Sequence, residues 1–305
     1  AVERFEGVRT KQKQGPADPL MKFGYGRSGN SRNIPIVHIT HKALDQVLKP
    51  ALKTTLAELE TAIDKDFRAK SQVIPGWKVE LQTSIETVRT EVKNVIGVIE
   101  GEGPQADETI VIGAHYDHVG YGQGKNRGPV HNGADDNASG TATVLELARY
   151  FSKPRNKPDR SLMFCFWDSE EQGLIGSKYW VEQPTVELSR IVFKVNIDMI
   201  GRLDGETLEV QGHRSGHGIK EPLNAANAKL GIDIDYVFKM PANSDHWPFI
   251  NKGIPGFMLH TGLHPEYHKP GDDSETIDVE GLEQVGRDEH AALDLLHRVA
   301  GEDHT

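Results

Sequence analysis

The sequence predicts an α/β protein, a three-layer αβα sandwich with a mostly parallel, mixed central sheet and a small N-terminal accessory segment. Three observations predict it. From about residue 80 onward, strand-like and helix-like segments alternate. The strand-like segments are continuously apolar rather than alternating, which marks strands buried on both faces beneath helices. A length of 305 residues exceeds an ordinary domain and leaves room for one large domain plus an accessory piece.

Residues 1–36 are rich in Gly, Lys, Arg and Ser and show little periodicity. Between Lys42 and Lys70, the residues Leu44, Leu48, Leu52, Leu56, Leu59 and Ile63 recur near helical spacing, so a helix is expected there, with Pro50 as a break or kink. Ile74, Pro75 and Gly76 stop it. The segment VELQTSIETV alternates like a strand and KNVIGVIEG reads as the next one, so the boundary falls near residue 80: an accessory segment 1–80 and a main domain 81–305. Beyond it, TIVIGAH, RSLMFCFW, RIVFKVNIDM and GIPGFMLHT read as core strands. SGTATVLELARYF, QGLIGSKYWVEQ, HGIKEPLNAANAKLG and VEGLEQVGRDEHAALDLLHRVA read as helices.

The formal net charge of −10 argues against a nucleic-acid partner, which requires a basic surface. No run of about 18 apolar residues exists, so no spanning helix is expected, and the N-terminus AVERFEGVRTKQ is too polar for a signal peptide. The single cysteine, Cys165, lies in an apolar run; an internal disulfide is excluded and a thiolate metal site is disfavoured.

Placed on this outline, His115, the pair Glu170 and Glu171, and Asp198 each fall just past the C-terminal end of a predicted strand, where α/β sheets build their sites. Acidic and imidazole groups converging on one edge repel or stay unsatisfied unless a cation holds them together. Carboxylates and imidazoles without thiolates suit zinc, with manganese or cobalt as substitutes. A lone histidine at a strand end is ordinarily a surface residue, but Asp117 could orient His115; His118 competes for the same role. In NGADDNASG, a helix cap is the plain explanation of Asp135 and Asp136, while a carboxylate bridging two metals explains why two adjacent aspartates are tolerated in a small-residue loop. Helix-end electrostatics is the plain explanation of WDSEEQG; alternatively Glu170 and Glu171 diverge, one to a metal and one to a bound water. Asp198 needs a partner, either a metal or an arginine. In HPEYHKPGDD, His268 is the candidate, with Asp272 to orient it and His264 as rival.

These elements, in this order, resemble the co-catalytic zinc exopeptidases, which include bacterial leucine aminopeptidases, glutamate carboxypeptidase and the transferrin receptor. The similarity covers roughly residues 80 to 300, on His115 to Asp117, Gly133 to Gly140, Glu170 to Ser177, Asp198 to Gly201 and Tyr267 to Asp272. It implies two zinc ions, one held by His115 and Asp198, the other by Glu171 and His268, with Asp136 bridging. It further implies Glu170 as general base, Asp117 as the partner of His115, Tyr267 as an oxyanion donor, and a cis peptide between Asp136 and Asn137. The stretch IPIVHITHKALDQVLK is similar to the trailing part of a protease-associated insert. A secreted or periplasmic location after leader removal follows from the resemblance, with a cytoplasmic one left open; oligomeric state has no signal.

The resemblance implies a peptide substrate and an aminopeptidase first, because an acidic site suits a free ammonium group. A carboxypeptidase or dipeptidase needs cations for the terminal carboxylate, for which Arg202 and Arg214 are candidates. A non-catalytic binding protein on the same scaffold, and a one-zinc glutaminyl cyclase, are the remaining alternatives.

Overall fold

In the computed structural model, which describes residues 37, 39–82, 90–121, 128–203 and 207–287, the periodic leucines near the N-terminus form two helices rather than one. These are α1 (His41–Leu52) and α2 (Leu56–Asp66). The break lies not at Pro50, which sits inside α1, but at Lys53, whose left-handed backbone ends the helix. Thr55 then starts α2: its hydroxyl accepts from the Glu58 N–H while the Glu58 carboxylate accepts from the Thr55 N–H, a reciprocal cap. The strand expected over 79–88 is absent from 79–82, and its remainder lies outside the described residues, as does the segment 1–36. The chain divides after Arg89 into two compact units, and both helices belong to the first.

Among the described residues the second unit contains nine strands. In chain order they are β1 (Val95–Ile99), β2 (Thr109–His115), β3 (Gly120–Tyr121), β4 (Val130–His131), β5 (Ser161–Trp167), β6 (Ile191–Ile197), β7 (Leu208–Gln211), β8 (Ile234–Val237) and β9 (Gly256–His260). Strands β3 and β4 pair with each other, and the others form one sheet in the order β1-β5-β2-β6-β9-β7-β8. Neighbours among β5, β2, β6 and β9 run parallel, whereas β1 and β7 run antiparallel to β5 and β9, so the sheet is mixed and mostly parallel, as expected. The helices of this unit are α3 (Gly140–Phe151), α4 (Ile175–Glu182), α5 (Lys220–Asn227) and the single turn α6 (Trp247–Ile250). From 279 to 287 the chain is helical, and the rest of the closing helix expected there lies outside the described residues. No described helix is long and apolar enough to cross a membrane.

The continuous apolar runs have a direct structural cause. On β2, Ile110, Ile112 and Ala114 join Val144, Leu147 and Phe151 of α3 in one core, while Val111 between them joins Met163, Trp167, Trp180 and Phe249 in another. Successive strand residues point to opposite faces, and both faces are covered. The chain passes from β2 through α3 to β5 on one side, then through α4 to β6 and β9 on the other. This reversal beside β2 opens a crevice at the carboxyl ends of the four parallel strands.

Lys194 interrupts this apolar pattern. It is fully buried on β6, its ammonium donates to the Val195 carbonyl at 2.7 Å, and it lies 5.9 and 5.5 Å from the ring centroids of Trp167 and Phe249. Burial lowers its pKa from 10.5 to about 8. Between those values the unfolded chain keeps this proton and the folded chain has lost it, so stability rises with pH across the window. The contribution is on the order of 3 kcal/mol. Lys194→Met should abolish this rise: in urea unfolding at about pH 7.5 and 10.5, the wild type should gain on the variant as pH increases. Parallel pH dependences would show that the ammonium is not desolvated.

Candidate active site

Strand β2 delivers His115 to the crevice with 1% of its surface exposed. Its Nδ1 lies 3.0 Å from the Asp117 carbonyl, which can only accept, so Nδ1 carries a proton and Nε2 faces inward. Nε2 is 3.3 Å from Asp136 Oδ1 and 3.3 Å from Asp198 Oδ1. The expected partnership with Asp117 thus runs through its main chain. The Asp117 carboxylate, 3.7 Å from Nδ1, instead accepts from the backbone N–H of Glu170 at 2.9 Å and of Glu171 at 3.4 Å. It fixes the turn that carries both glutamates. Burial alone would keep His115 neutral, but the Asp198 charge and hydrogen bonds with Asp136 and Asp198 raise its pKa well above the usual value.

The loop before α3 is built on Gly133, whose φ is 66° and whose Cβ would fall 2.3 Å from the Asp136 carbonyl oxygen. Only glycine fits there. The Asp136–Asn137 peptide is cis, as the resemblance implies. Helix capping, the plain explanation of the two aspartates, falls to Asn137: its Oδ1 accepts from the Gly140 N–H at 3.1 Å. Asp135 and Asp136 diverge. Asp135 accepts from the Gly201 N–H at 2.6 Å, while Asp136 turns to His115. Asp272, expected to orient His268, instead accepts the backbone N–H groups of Asp135 and Asp136 and meets Arg202 at 3.3 Å. It clamps the loop. His264, the rival of His268, lies 3.4 Å from Asp135 and belongs to this buttress.

After β5, Glu171 reaches across to two histidines: its Oε2 is 3.1 Å from His268 Nε2 and its Oε1 is 2.8 Å from His118 Nδ1. Asp136 Oδ2 is 3.0 Å from His268 Nε2 and 3.8 Å from His118 Nδ1. The residues therefore fall into two groups with metal-binding spacing, His115–Asp136–Asp198 and His118–Asp136–Glu171, with His268 bordering the second. Asp136 is common to both. His118 enters the second group and not the role of His115 for which it competes in the sequence; its place one residue past Asp117 is the available signal.

These residues fit a bound cation on their own evidence. Asp136 Oδ2, Glu171 Oε1 and both ring nitrogens of His118 are buried without an aligned hydrogen-bond partner among the described residues, although they lie at contact distance from one another. Buried carboxylate and imidazole atoms left unpaired in this way are stabilised by a shared cation. Among the described residues no arginine meets Asp198; Ser244 donates to its Oδ2 at 2.6 Å and Asn196 donates to Ser244 at 2.9 Å.

Beside the two groups is a cleft of about 360 Å³ lined by His115, Asp136, Glu170, Asp198, Tyr267 and His268, with Met199, Met258 and His260 also among its walls. Burial pushes Glu170 up to about 9, reinforced by the charges of Asp245, Asp198 and Glu171 and opposed by His115. Nearby cations would pull it back toward ionisation. The Tyr267 ring stacks on His268 with centroids 3.8 Å apart, and burial beside carboxylates raises its hydroxyl pKa, which keeps it a donor. Hydrogen bonds with Asp136 and Glu171 raise His268 to about 10. All eight residues expected at the site lie at this strand edge: six line the cleft, Glu171 joins the second group and Asp117 fixes the glutamate turn.

Similarity to known proteins falls on the same part of the chain. The model of peptidase family M28 matches residues 94–292. Aminopeptidase YwaD of Bacillus subtilis is 31% identical over 208 residues, covering 64% of this chain and 42% of that protein. A probable glutamate carboxypeptidase of Arabidopsis thaliana is 32% identical over 210 residues, covering 62% of this chain and 28% of that protein. The structure of BSAP, a zinc aminopeptidase from Bacillus subtilis, superposes with a TM-score of 0.56 at 29% identity, over 66% of this chain and 49% of that one. The chain spans less than half the length of each.

Proposed function

The chain belongs to peptidase family M28, and from that premise we propose that it is a zinc-dependent exopeptidase, an aminopeptidase that releases N-terminal residues from peptides. His115, Asp136 and Asp198 would hold one zinc ion, and Asp136, Glu171 and His268 a second. When bound, zinc supplies Lewis-acid polarisation of the scissile carbonyl and a water of lowered pKa. Glu170 takes the proton of the attacking water and returns it to the leaving amine. The Tyr267 hydroxyl donates to the oxygen that gains charge. His115 is held in one tautomer by the Asp117 carbonyl, and the Glu170 backbone by the Asp117 carboxylate, so the reacting groups are oriented before substrate arrives.

The observation that carries the aminopeptidase reading is that the cleft offers no cation to a substrate carboxylate. With Asp136 and Asp198 given to zinc and Glu170 to proton transfer, its lining among the described residues includes no lysine or arginine. Such a wall disfavours a substrate that must be held by a terminal carboxylate. The two arginines a carboxypeptidase could use are engaged elsewhere, Arg202 with Asp272 and Thr276, Arg214 over the Phe238 ring at 4.4 Å. Hydrolysis of leucine-p-nitroanilide, a free dipeptide and an N-acetylated dipeptide, with chelator and with zinc restored, tests the reading. Cleavage that requires both the free amine and zinc is expected. Cleavage of the N-blocked substrate alone would replace it with a carboxypeptidase.

A further inference from the structure

The cleft has a polar floor that the metal groups do not account for. On β9, Phe257 and Leu259 point into the large core, so the alternate residues Met258 and His260 face the other way, and both line the cleft. His260 is the last residue of the strand and only 7% exposed. Its Nδ1 lies 2.9 Å from the Asp198 carbonyl, an acceptor only, so Nδ1 carries the proton. In the neutral ring Nε2 is then a bare acceptor, and among the described residues it has no hydrogen-bond partner.

The neighbouring strand repeats this chemistry. β7 pairs antiparallel with β9, placing Glu209 opposite His260 and Gln211 opposite Met258. Directly opposed residues share a face of the sheet, and Val210 between them in sequence, like Leu208 before them, is in the core on the other face. Gln211 is 5% exposed; its Nε2 donates to Glu209 at 3.0 Å, which leaves its buried Oε1 unpartnered. His260 Nε2 and, on the same face of the sheet, Gln211 Oε1 and the Glu209 carboxylate are all acceptors. Of these three residues His260 itself lines the cleft, together with the unbranched thioethers Met199 and Met258.

We infer that His260 makes this floor a specificity-determining surface that selects terminal residues with a long, unbranched side chain ending in N–H donors, a carboxamide or an amine, over apolar side chains of equal length. The inference rests on the aminopeptidase reading. An apolar side chain reaching His260 would strip water from Nε2 and return nothing, whereas a donor satisfies it. Glu209 behind the floor admits the charged version of the same chemistry.

Glutaminyl-, lysyl- and methionyl-p-nitroanilide, three unbranched side chains of similar reach, form the test. In the wild type, kcat/KM for glutamine or lysine should exceed that for methionine by about tenfold, with glutamine against lysine distinguishing amide from amine. His260→Phe should lower that ratio about tenfold and His260→Gln, which keeps an acceptor, should preserve it. Because each ratio is taken within one variant, a partly metal-depleted preparation does not distort it. A wild-type preference for methionine, or a ratio unchanged in His260→Phe, overturns the inference while leaving the aminopeptidase intact. If none of the three is hydrolysed by zinc-replete protein, that broader reading fails instead. Calorimetry with free L-glutamine, L-lysine and L-methionine then decides the pocket by itself, tighter binding of the donors supporting it and equal or weaker binding overturning it.

Discussion

Glu170→Gln is expected to bind zinc like the wild type and to lose at least about a thousandfold in kcat, within the range for removing a general base that also serves as general acid. The expectation comes from the division of labour between adjacent glutamates. Glu171 is turned toward His268 and His118, at 3.1 and 2.8 Å, whereas the Glu170 side chain faces the cleft. Both backbones are tied to Asp117, so an isosteric amide at 170 should leave the turn and the metal groups where they are. Burial pushes Glu170 up to about 9, and such a carboxyl, once cations lower it, sits near the range where a group both accepts and returns a proton. Metal content by atomic emission, read beside single-turnover hydrolysis, separates the outcomes. A metal-replete variant with wild-type turnover would remove Glu170 from the reaction, and a variant that loses metal would make it a ligand.

Much of this site was legible in the sequence because His115, Glu170, Glu171 and Asp198 stand at or just past the end of a buried strand, and buried strands announce themselves as apolar runs. TIVIGAH, RSLMFCFW and RIVFKVNIDM became β2, β5 and β6, and the polar residues after them landed at one edge. What was not legible depends on contacts distant in sequence. Asp272 looked like a partner of His268 by spacing, yet it accepts from Asp135 and Asp136, 137 and 136 residues away. Asp117 acts through two different groups, carbonyl and carboxylate, which spacing cannot separate. The four-residue elements β7, β8 and α6 are too short to show periodicity, and with β7 went Gln211 and Glu209, hence the polar floor beside His260. The single helix expected over 42–70 became two because Lys53 takes a left-handed backbone, for which a lysine gives no signal.

Asp136→Asn is expected to weaken zinc binding by at least about a hundredfold and to abolish turnover, since loss of a direct ligand should exceed the 10- to 100-fold typical of outer partners. The two oxygens of Asp136 face different groups, Oδ1 toward His115 at 3.3 Å and Oδ2 toward His268 at 3.0 Å. An amide keeps one acceptor and loses the charge, so neither group keeps its full complement. The control is its neighbour. Asp135 is equally buried, but its carboxylate holds the Gly201 N–H and faces His264. Asp135→Asn should therefore retain zinc and lower folding stability by on the order of 1–3 kcal/mol, the cost of disturbing a buried hydrogen bond. Metal stoichiometry and urea midpoints on the two variants give opposite signatures if one aspartate is a ligand and the other a buttress. His118→Ala and His268→Ala, measured alongside, resolve which imidazole completes the second group. Both lie within contact distance of Glu171, but only the true ligand should cost metal on removal. Equal zinc loss from Asp135→Asn and Asp136→Asn would show instead that the loop, and not the Asp136 carboxylate itself, governs binding.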